Sequence, residues 1–451
     1  MTNDVAERIW RLVFDAEGDP DPAVLADLKS RIGAAGLTDL IIFSHGWNND
    51  EAAAASLYER WFGLLAPQLD PARAVGFVGL RWPSQLWRDE PIPDFSGPAA
   101  HDGGGAAALG DEVEVVPAGP ATIDPAQLAE LKELFPDGKE QLDTIAGLLA
   151  APPSSDRLPE LLDALRAFSA ATQTGFNDGE VAALEAGPGM LAEHQDAEQL
   201  FTTFADELSN AGVQFDDGGG GGAAGLGDIA GRLWHGAKEA LRQLSYWKMK
   251  NRAGVVGRRG LGPVIDALHA DFPELRIHLV GHSFGARVVS YALAGMSEVQ
   301  PSPVKAVTLL QGAYSRFTFT ERLPFRKGAG ELAGLLNRID GPLTVCFSSH
   351  DRALGTFYPL ASAAAGEDAA GAEDPLFRWR AMGSHGAYQS VTQSLGAVKT
   401  SYPFQTGQIL NLNSSDVVAK DDGPSGAHSD IFHEQLCWVA AAAGKLNPDR
   451  A

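Results

Sequence analysis

The sequence predicts an α/β fold, in which a mostly parallel sheet carries helices on both faces and a helical insertion interrupts the chain. Short apolar runs alternate with segments whose apolar residues recur at helical spacing. The run LIIF at residues 40–43 is the clearest example, because it is continuously apolar and is followed by polar and glycine residues. A run of this kind is expected of a strand that is buried on both faces of a parallel sheet.

The same alternation predicts the individual elements. Because parallel strands need crossover connections, their order favours a sheet with helices on both faces. The predicted strands cover residues 9–14, 40–43, 74–82, 276–283, 304–313, 343–351 and 406–415. The predicted helices cover residues 21–36, 51–66, 261–270, 284–296 and 431–443, and another passes through Tyr246 and Met249.

Residues 89–231 are predicted to form a helical insertion. Glycine- and proline-rich stretches at 91–110 and 216–228 mark its ends, and such stretches form turns and flexible connections. Between them, several segments carry apolar residues at helical spacing. We therefore expect residues 1–88 and 232–451 to build one core, and the insertion to act as a lid over it.

Charge and cysteine content limit the classes of partner. The chain has 35 Lys and Arg against 58 Asp and Glu, a net charge of -23, which disfavours binding to nucleic acid or to an anionic membrane surface. Cys346 and Cys437 lie in apolar runs, where a buried thiol is favoured over a disulfide or a metal ligand. The N-terminus predicts neither a signal peptide nor a transmembrane segment, so we expect a cytoplasmic protein.

The sequence GHSFG at residues 281–285 matches the pattern G-x-S-x-G around Ser283. In a chain with 51 glycines the pattern alone is weak evidence. Its context is stronger, because a predicted strand leads directly into it and a predicted helix follows it, as a nucleophile elbow requires. The alternative is that Ser283 is the N-cap of an ordinary helix.

A nucleophilic serine also needs N–H donors for the oxyanion of the reaction. The N–H of Phe284, at the start of the helix, is one candidate. The N–H of Trp47, in the sequence FSHGWNN after an earlier strand, is the other. His45, Gly46 and His282 flank these donors and are expected to line the substrate site. The alternative for FSHGWNN is a plain turn that closes a buried strand.

The acid and the base are expected to follow the serine in that order along the chain. Asp351 ends a predicted strand, and His428 lies between the last predicted strand and the last predicted helix. A surface acid and a residue at a helix N-terminus are the alternatives for this pair. His45, His282 and His385 are competing histidines. His385 precedes the last predicted strand and should enter from the opposite end of the sheet, unless the long connection brings it round.

These motifs together resemble the α/β-hydrolase superfamily, in particular a bacterial branch of esterase-like and lipase-like proteins with HGFNN and GHSxGA motifs. The residues that carry the resemblance are HGWNN, RWPS, GHSFGARVV, SSHD and AHSDIFH. They lie within residues 36–88 and 240–445, so the resemblance leaves out the whole insertion. The chain departs from the pattern in the length of that insertion and in the tryptophan of HGWNN, which is expected to narrow the acyl pocket.

The resemblance implies a sheet of about eight strands. It also implies a catalytic triad of Ser283, Asp351 and His428, with an oxyanion hole formed by Trp47 and Phe284. The activity that it implies is hydrolysis of carboxylic esters, with a small ester or a lipid-like molecule as substrate. A serine peptidase or amidase with the same triad is one alternative, and a non-catalytic binding protein that keeps the fold is another.

No cofactor or metal is expected. The sequence has no P-loop, no HExxH and no paired CxxC pattern. The pentaglycine at residues 218–222 lacks the lysine and the serine or threonine that phosphate binding needs.

Overall fold

The computed structural model describes residues 8–84, 116–117, 121–172, 196–210, 213–214, 226–325, 327–357, 377, 380–420 and 426–448. Its main feature is a single eight-stranded sheet. The strands are β1 Ile9–Val13, β2 Asp39–Ser44, β3 Val75–Arg81, β6 Arg276–His282, β7 Val304–Leu310, β8 Leu343–Phe347, β9 Val391–Ser394 and β10 Ile409–Asn413. They are arranged in the order β1-β3-β2-β6-β7-β8-β10-β9, and every neighbouring pair is parallel. The predicted α/β fold is therefore confirmed. Two short strands, β4 Val116–Pro117 and β5 Val213–Gln214, form a separate parallel pair.

Helices precede and follow the strands as the alternation predicts. The helix predicted at 431–443 begins three residues later, at Glu434, and the one predicted at 261–270 is shifted by one residue. The helices are α1 Pro22–Ala35, α2 Glu51–Leu65, α3 Pro125–Leu134, α4 Lys139–Ala150, α5 Leu158–Ala171, α6 Ala197–Asn210, α7 Leu226–Val255, α8 Gly262–Asp271, α9 Phe284–Gly295, α10 Met382–His385 and α11 Glu434–Ala443.

Both faces of the sheet are covered. Consecutive side chains of a strand point to opposite faces, so Ile42 of β2 belongs to one apolar cluster while Ile41 and Phe43 belong to another. The first cluster includes residues of α1, α8 and α9, and the second includes residues of α2 and α11. All six residues of β2 are buried, which explains the continuous apolar run in the sequence.

Most of the described residues between 89 and 231 are in helices, and the short strands β4 and β5 also lie in this part of the chain. Helices α3 to α6 lie within it, and their buried residues, among them Leu131, Leu161 and Phe201, belong to the same apolar cluster as Ile42. Helix α7 begins at Leu226 and continues through the predicted boundary at residue 231. The stretch at 91–110 and most of that at 216–228 lie outside the described residues.

Helix α7 has 30 residues, which is long enough to span a bilayer. However, no helix in the described part of the chain is both long and apolar enough to cross a membrane.

Candidate active site

Ser283 occupies a sharp turn between β6 and α9. Its φ is 56° and its ψ is -122°, in a region that residues other than glycine rarely adopt. Side chains at the two flanking glycines would collide with backbone, because a Cβ at Gly285 would meet the carbonyl oxygen of Ser44 and a Cβ at Gly281 would meet that of Gly285. The turn thus has the strained, tightly packed geometry expected of a nucleophile elbow.

The side chain of Ser283 does not cap α9. Its Oγ lies 2.8 Å from Nε2 of His428, whose Nδ1 lies 2.8 Å from Oδ2 of Asp351. Asp351 follows β8, and His428 lies in a short 3₁₀ turn between β10 and α11. The carboxyl ends of these parallel strands therefore bring the three side chains, far apart in sequence, into one chain of hydrogen bonds.

The carboxylate of Asp351 is fully buried and oriented by several donors. The backbone N–H of Leu354 donates to its Oδ1 at 3.0 Å, and the side-chain amide of Gln311 donates to its Oδ2 at 3.4 Å. Because a carboxylate oxygen accepts, the proton of the neutral His428 ring is assigned to Nδ1. Nε2 then presents its lone pair to the hydroxyl of Ser283, as a general base requires.

The loop after β2 passes directly over Ser283. A Cβ at Gly46 would lie 2.7 Å from the Cβ of Ser283. The carbonyl oxygen of Gly46 accepts a hydrogen bond at 3.2 Å from the side-chain amide of Asn49. The carbonyl of Gly46 and the N–H of Trp47 belong to the same trans peptide group, in which the two bonds point in opposite directions. The N–H of Trp47 therefore points away from the carbonyl oxygen of Gly46. The other predicted donor, Phe284, is the first residue of α9, where an N–H has no acceptor within the helix.

Comparisons with family models, with curated proteins and with solved structures find no match for this chain. What it does is therefore inferred from its own residues.

His45 and His282 are buried and contact the protein itself. Nδ1 of His45 lies 2.9 Å from the carbonyl oxygen of Gly46, and its ring stacks on that of Trp82. Nε2 of His282 donates at 2.8 Å to the carbonyl oxygen of His428. Burial lowers the pKa of His45 to about 4 and that of His282 to about 3, so both rings are neutral at neutral pH. Because both rings are buried and contact backbone carbonyl oxygens, we infer that they hold the loops in place. The sequence suggested instead that they contact the substrate directly.

His385 is the remaining competitor for the role of base. The connection after β8 brings its helix, α10, to the carboxyl ends of β7 and β8, where the N–H of Gly383 donates to the carbonyl oxygen of Gly312. His385 and His428 therefore lie at the same end of the sheet, so this criterion does not distinguish them. The hydrogen bonds do, because Nδ1 of His385 lies 2.9 Å from Oγ of Ser384, while Nε2 of His428 lies 2.8 Å from Oγ of Ser283.

Two further side chains at the site were missed in the sequence. Gln311, the residue after β7, contacts Asp351 as described above. Tyr246 of α7 packs between two predicted site residues, with ring centroids 5.1 Å from Trp47 and 4.5 Å from Phe284. The three rings form an aromatic cluster beside the loop after β2. Tyr246 was part of a predicted helix, but helical spacing does not indicate which neighbouring element a residue will meet.

The close approach of Gly46 predicts a large effect of a single methyl group. In Gly46→Ala the new Cβ must displace the loop or the Cβ of Ser283, and a displacement of about 1 Å at a reacting atom costs on the order of 100-fold in rate. We expect kcat/KM for an ester substrate to fall by about that factor while the protein stays folded. Steady-state kinetics and a thermal unfolding curve measure the two effects.

Gly63→Ala is the matched control. Gly63 is exposed on α2, and a Cβ there meets no atom within 4 Å. The same chemical change should leave kcat/KM at the wild-type value and stabilise the helix by about 0.5–1 kcal/mol. Wild-type kinetics in Gly46→Ala would show that the loop does not set the position of the nucleophile.

Proposed function

We propose that this chain is a serine hydrolase of the α/β-hydrolase type that cleaves carboxylic esters through an acyl-serine intermediate. The observation that carries the proposal is the chain of hydrogen bonds from Ser283 through His428 to Asp351, with 2.8 Å at each link. The strained turn that holds Ser283 also supports the proposal, because strained residues cluster at functional sites.

In the proposed reaction, Nε2 of His428 accepts the proton of the Ser283 hydroxyl as Oγ forms a bond to the carbonyl carbon of the ester. The carbonyl oxygen becomes an oxyanion, and the N–H groups of Phe284 and Trp47 stabilise it. The bond to the leaving oxygen then breaks, and that oxygen receives the proton from His428. Asp351 holds the ring and stabilises its positive charge.

The acyl-serine is hydrolysed by the same groups. His428 accepts a proton from a water molecule, whose oxygen attacks the acyl carbon of the intermediate. When the second oxyanion collapses, the bond between the acyl carbon and Oγ of Ser283 breaks and the proton returns to the serine. One ester and one water molecule thus give one acid and one alcohol.

One observation favours esters with an apolar acyl group. Trp47 and Tyr246 are partly buried and pack against the fully buried ring of Phe284, so they place apolar surface beside the loop after β2. Alkoxide leaving groups also depart far more readily than amines, so a site of this kind cleaves esters more easily than amides. The net charge of -23 repels polyanionic substrates and leaves a small neutral ester or a lipid-like molecule as the substrate class.

The test compares p-nitrophenyl esters, from acetyl to dodecanoyl, with p-nitroanilides of the same acyl groups. We expect kcat/KM for the esters to exceed that for the anilides by at least about two orders of magnitude. Preference for the anilides would make the chain an amidase or peptidase that uses the same residues. A protein that hydrolyses neither series and does not react with a fluorophosphonate would instead be a binding protein.

A further inference from the structure

The loop that carries His428 is held in place from several strands. We propose that Gln311 is a positioning residue of the active site, whose amide fixes this loop against the carboxylate of Asp351. The inference rests on the proposed function, because it assigns Gln311 to the machinery of that reaction. Gln311 follows β7, lies between the strands that lead to the nucleophile and the acid, and is 2% exposed.

The NH₂ group of Gln311 contacts Asp351 and the residue directly before His428. Nε2 donates to the carbonyl oxygen of Ala427, directly before His428, at 2.6 Å. It also lies 3.4 Å from Oδ2 of Asp351, the oxygen to which Nδ1 of His428 donates. The first bond is short and the second is at the long limit, so the hold on the loop is mainly the bond to Ala427. If the amide were flipped, its oxygen Oε1 would face the carbonyl oxygen of Ala427, and two acceptors would be in contact.

The backbone of Gln311 points to the same role. Its φ is 47°, which is strained for any residue other than glycine. Ser283 and Asn48, at the same edge of the sheet, also have positive φ values, of 56° and 54°. Glycine would adopt this conformation without strain, so the presence of glutamine is explained by what its amide does.

Other contacts hold the loop from the neighbouring strands. From the β8 side, the carbonyl oxygen of His350 accepts from the N–H of Ala427 at 2.9 Å. From β6, His282 donates to the carbonyl oxygen of His428 at 2.8 Å. Gln311 adds the hold from β7. Without it, the buried carbonyl of Ala427 loses this donor and the loop can shift toward another one.

Gln311→Gly separates this role from a structural one. The variant loses the amide but relieves the positive φ, so the cost of the lost hydrogen bond is partly offset and the protein should remain folded, with at most a modest decrease in its midpoint of thermal unfolding. We expect kcat for ester hydrolysis to fall at least about tenfold with little change in KM, because positioning of the base affects the chemical step. A second readout is independent of turnover: the low-field NMR signal of the Nδ1 proton between His428 and Asp351 should weaken or shift.

Gln311→Glu tests the same contact through charge. A carboxylate at this position faces the carbonyl oxygen of Ala427 and the carboxylate of Asp351, and it favours the protonated form of His428. We expect a lower kcat and an acid limb of kcat/KM that moves to higher pH. An unchanged pH profile would place the new carboxylate away from Asp351 and His428 and would contradict the proposed contact.

Gln389→Gly is the matched control. Gln389 is exposed and has a φ of 57°, so the substitution removes the same side chain and relieves the same type of strain. It should leave kcat and the NMR signal as in the wild type. Wild-type kcat and an unchanged signal in Gln311→Gly would overturn the inference. In a further outcome, the wild-type protein hydrolyses no ester, while Gln311→Gly still loses the NMR signal. That outcome would refute the proposed function and keep the positioning role.

Discussion

Ser283→Ala is expected to lose ester hydrolysis almost completely, with kcat lower by roughly 10⁵ to 10⁶. The reason is that no other hydroxyl is hydrogen-bonded to His428 in the described part of the site. The fold should survive, because alanine keeps the backbone turn and removes one hydrogen bond at a residue that is 4% exposed. Turnover of the preferred ester measures the loss of activity, and the midpoint of thermal unfolding measures the stability of the fold.

A fluorophosphonate identifies the nucleophile directly. The wild-type protein should take up one label on the peptide that contains Ser283, and Ser283→Ala should take up none. Ser290→Ala is the control, since Ser290 is a buried serine on α9 whose Oγ lies 2.6 Å from the hydroxyl of Tyr314. Its loss affects packing but should leave labelling intact. Equal labelling of Ser283→Ala and the wild type would assign the nucleophile elsewhere.

The fold was predictable where burial leaves a pattern in the sequence. Strand β2 is buried along its whole length and appears as a continuous apolar run. Strand β9, by contrast, was missed, because its residues Val391–Ser394 are all exposed at the edge of the sheet and most of them are polar. The sequence VTQS carries no signal of burial, and only pairing with β10 makes it a strand.

The site was predictable where topology restricts the positions of side chains. Ser283, Asp351 and His428 each follow a strand, and the carboxyl ends of parallel strands meet at one edge, so their proximity could be inferred without coordinates. Gln311 also follows a strand, but its main partner is a backbone carbonyl, which leaves no trace in residue types. The buried positions of His45 and His282 likewise depend on packing that the motif alone does not reveal.

The choice between His428 and His385 gives the second large expected effect. His428→Ala removes the only side chain among the described residues that is hydrogen-bonded to both Ser283 and Asp351. We expect kcat to fall by roughly 10⁴ to 10⁶, since a serine without its base keeps only the contributions of binding and the oxyanion hole. His385→Ala should cost about tenfold or less. Both variants are measured on one ester at neutral pH, together with their unfolding curves.

The pH dependence of the wild type adds an independent criterion. The proposed base must be neutral to accept a proton, so kcat/KM should decrease as the pH falls, with the slope of a single protonation. Because burial lowers the pKa of His45 to about 4 and that of His282 to about 3, neither ring gains a proton over most of this decrease. The limb should persist in His385→Ala and disappear from the residual activity of His428→Ala. The reverse result, with the limb and most of the activity lost in His385→Ala, would assign the base to His385 and leave Ser283 as the nucleophile.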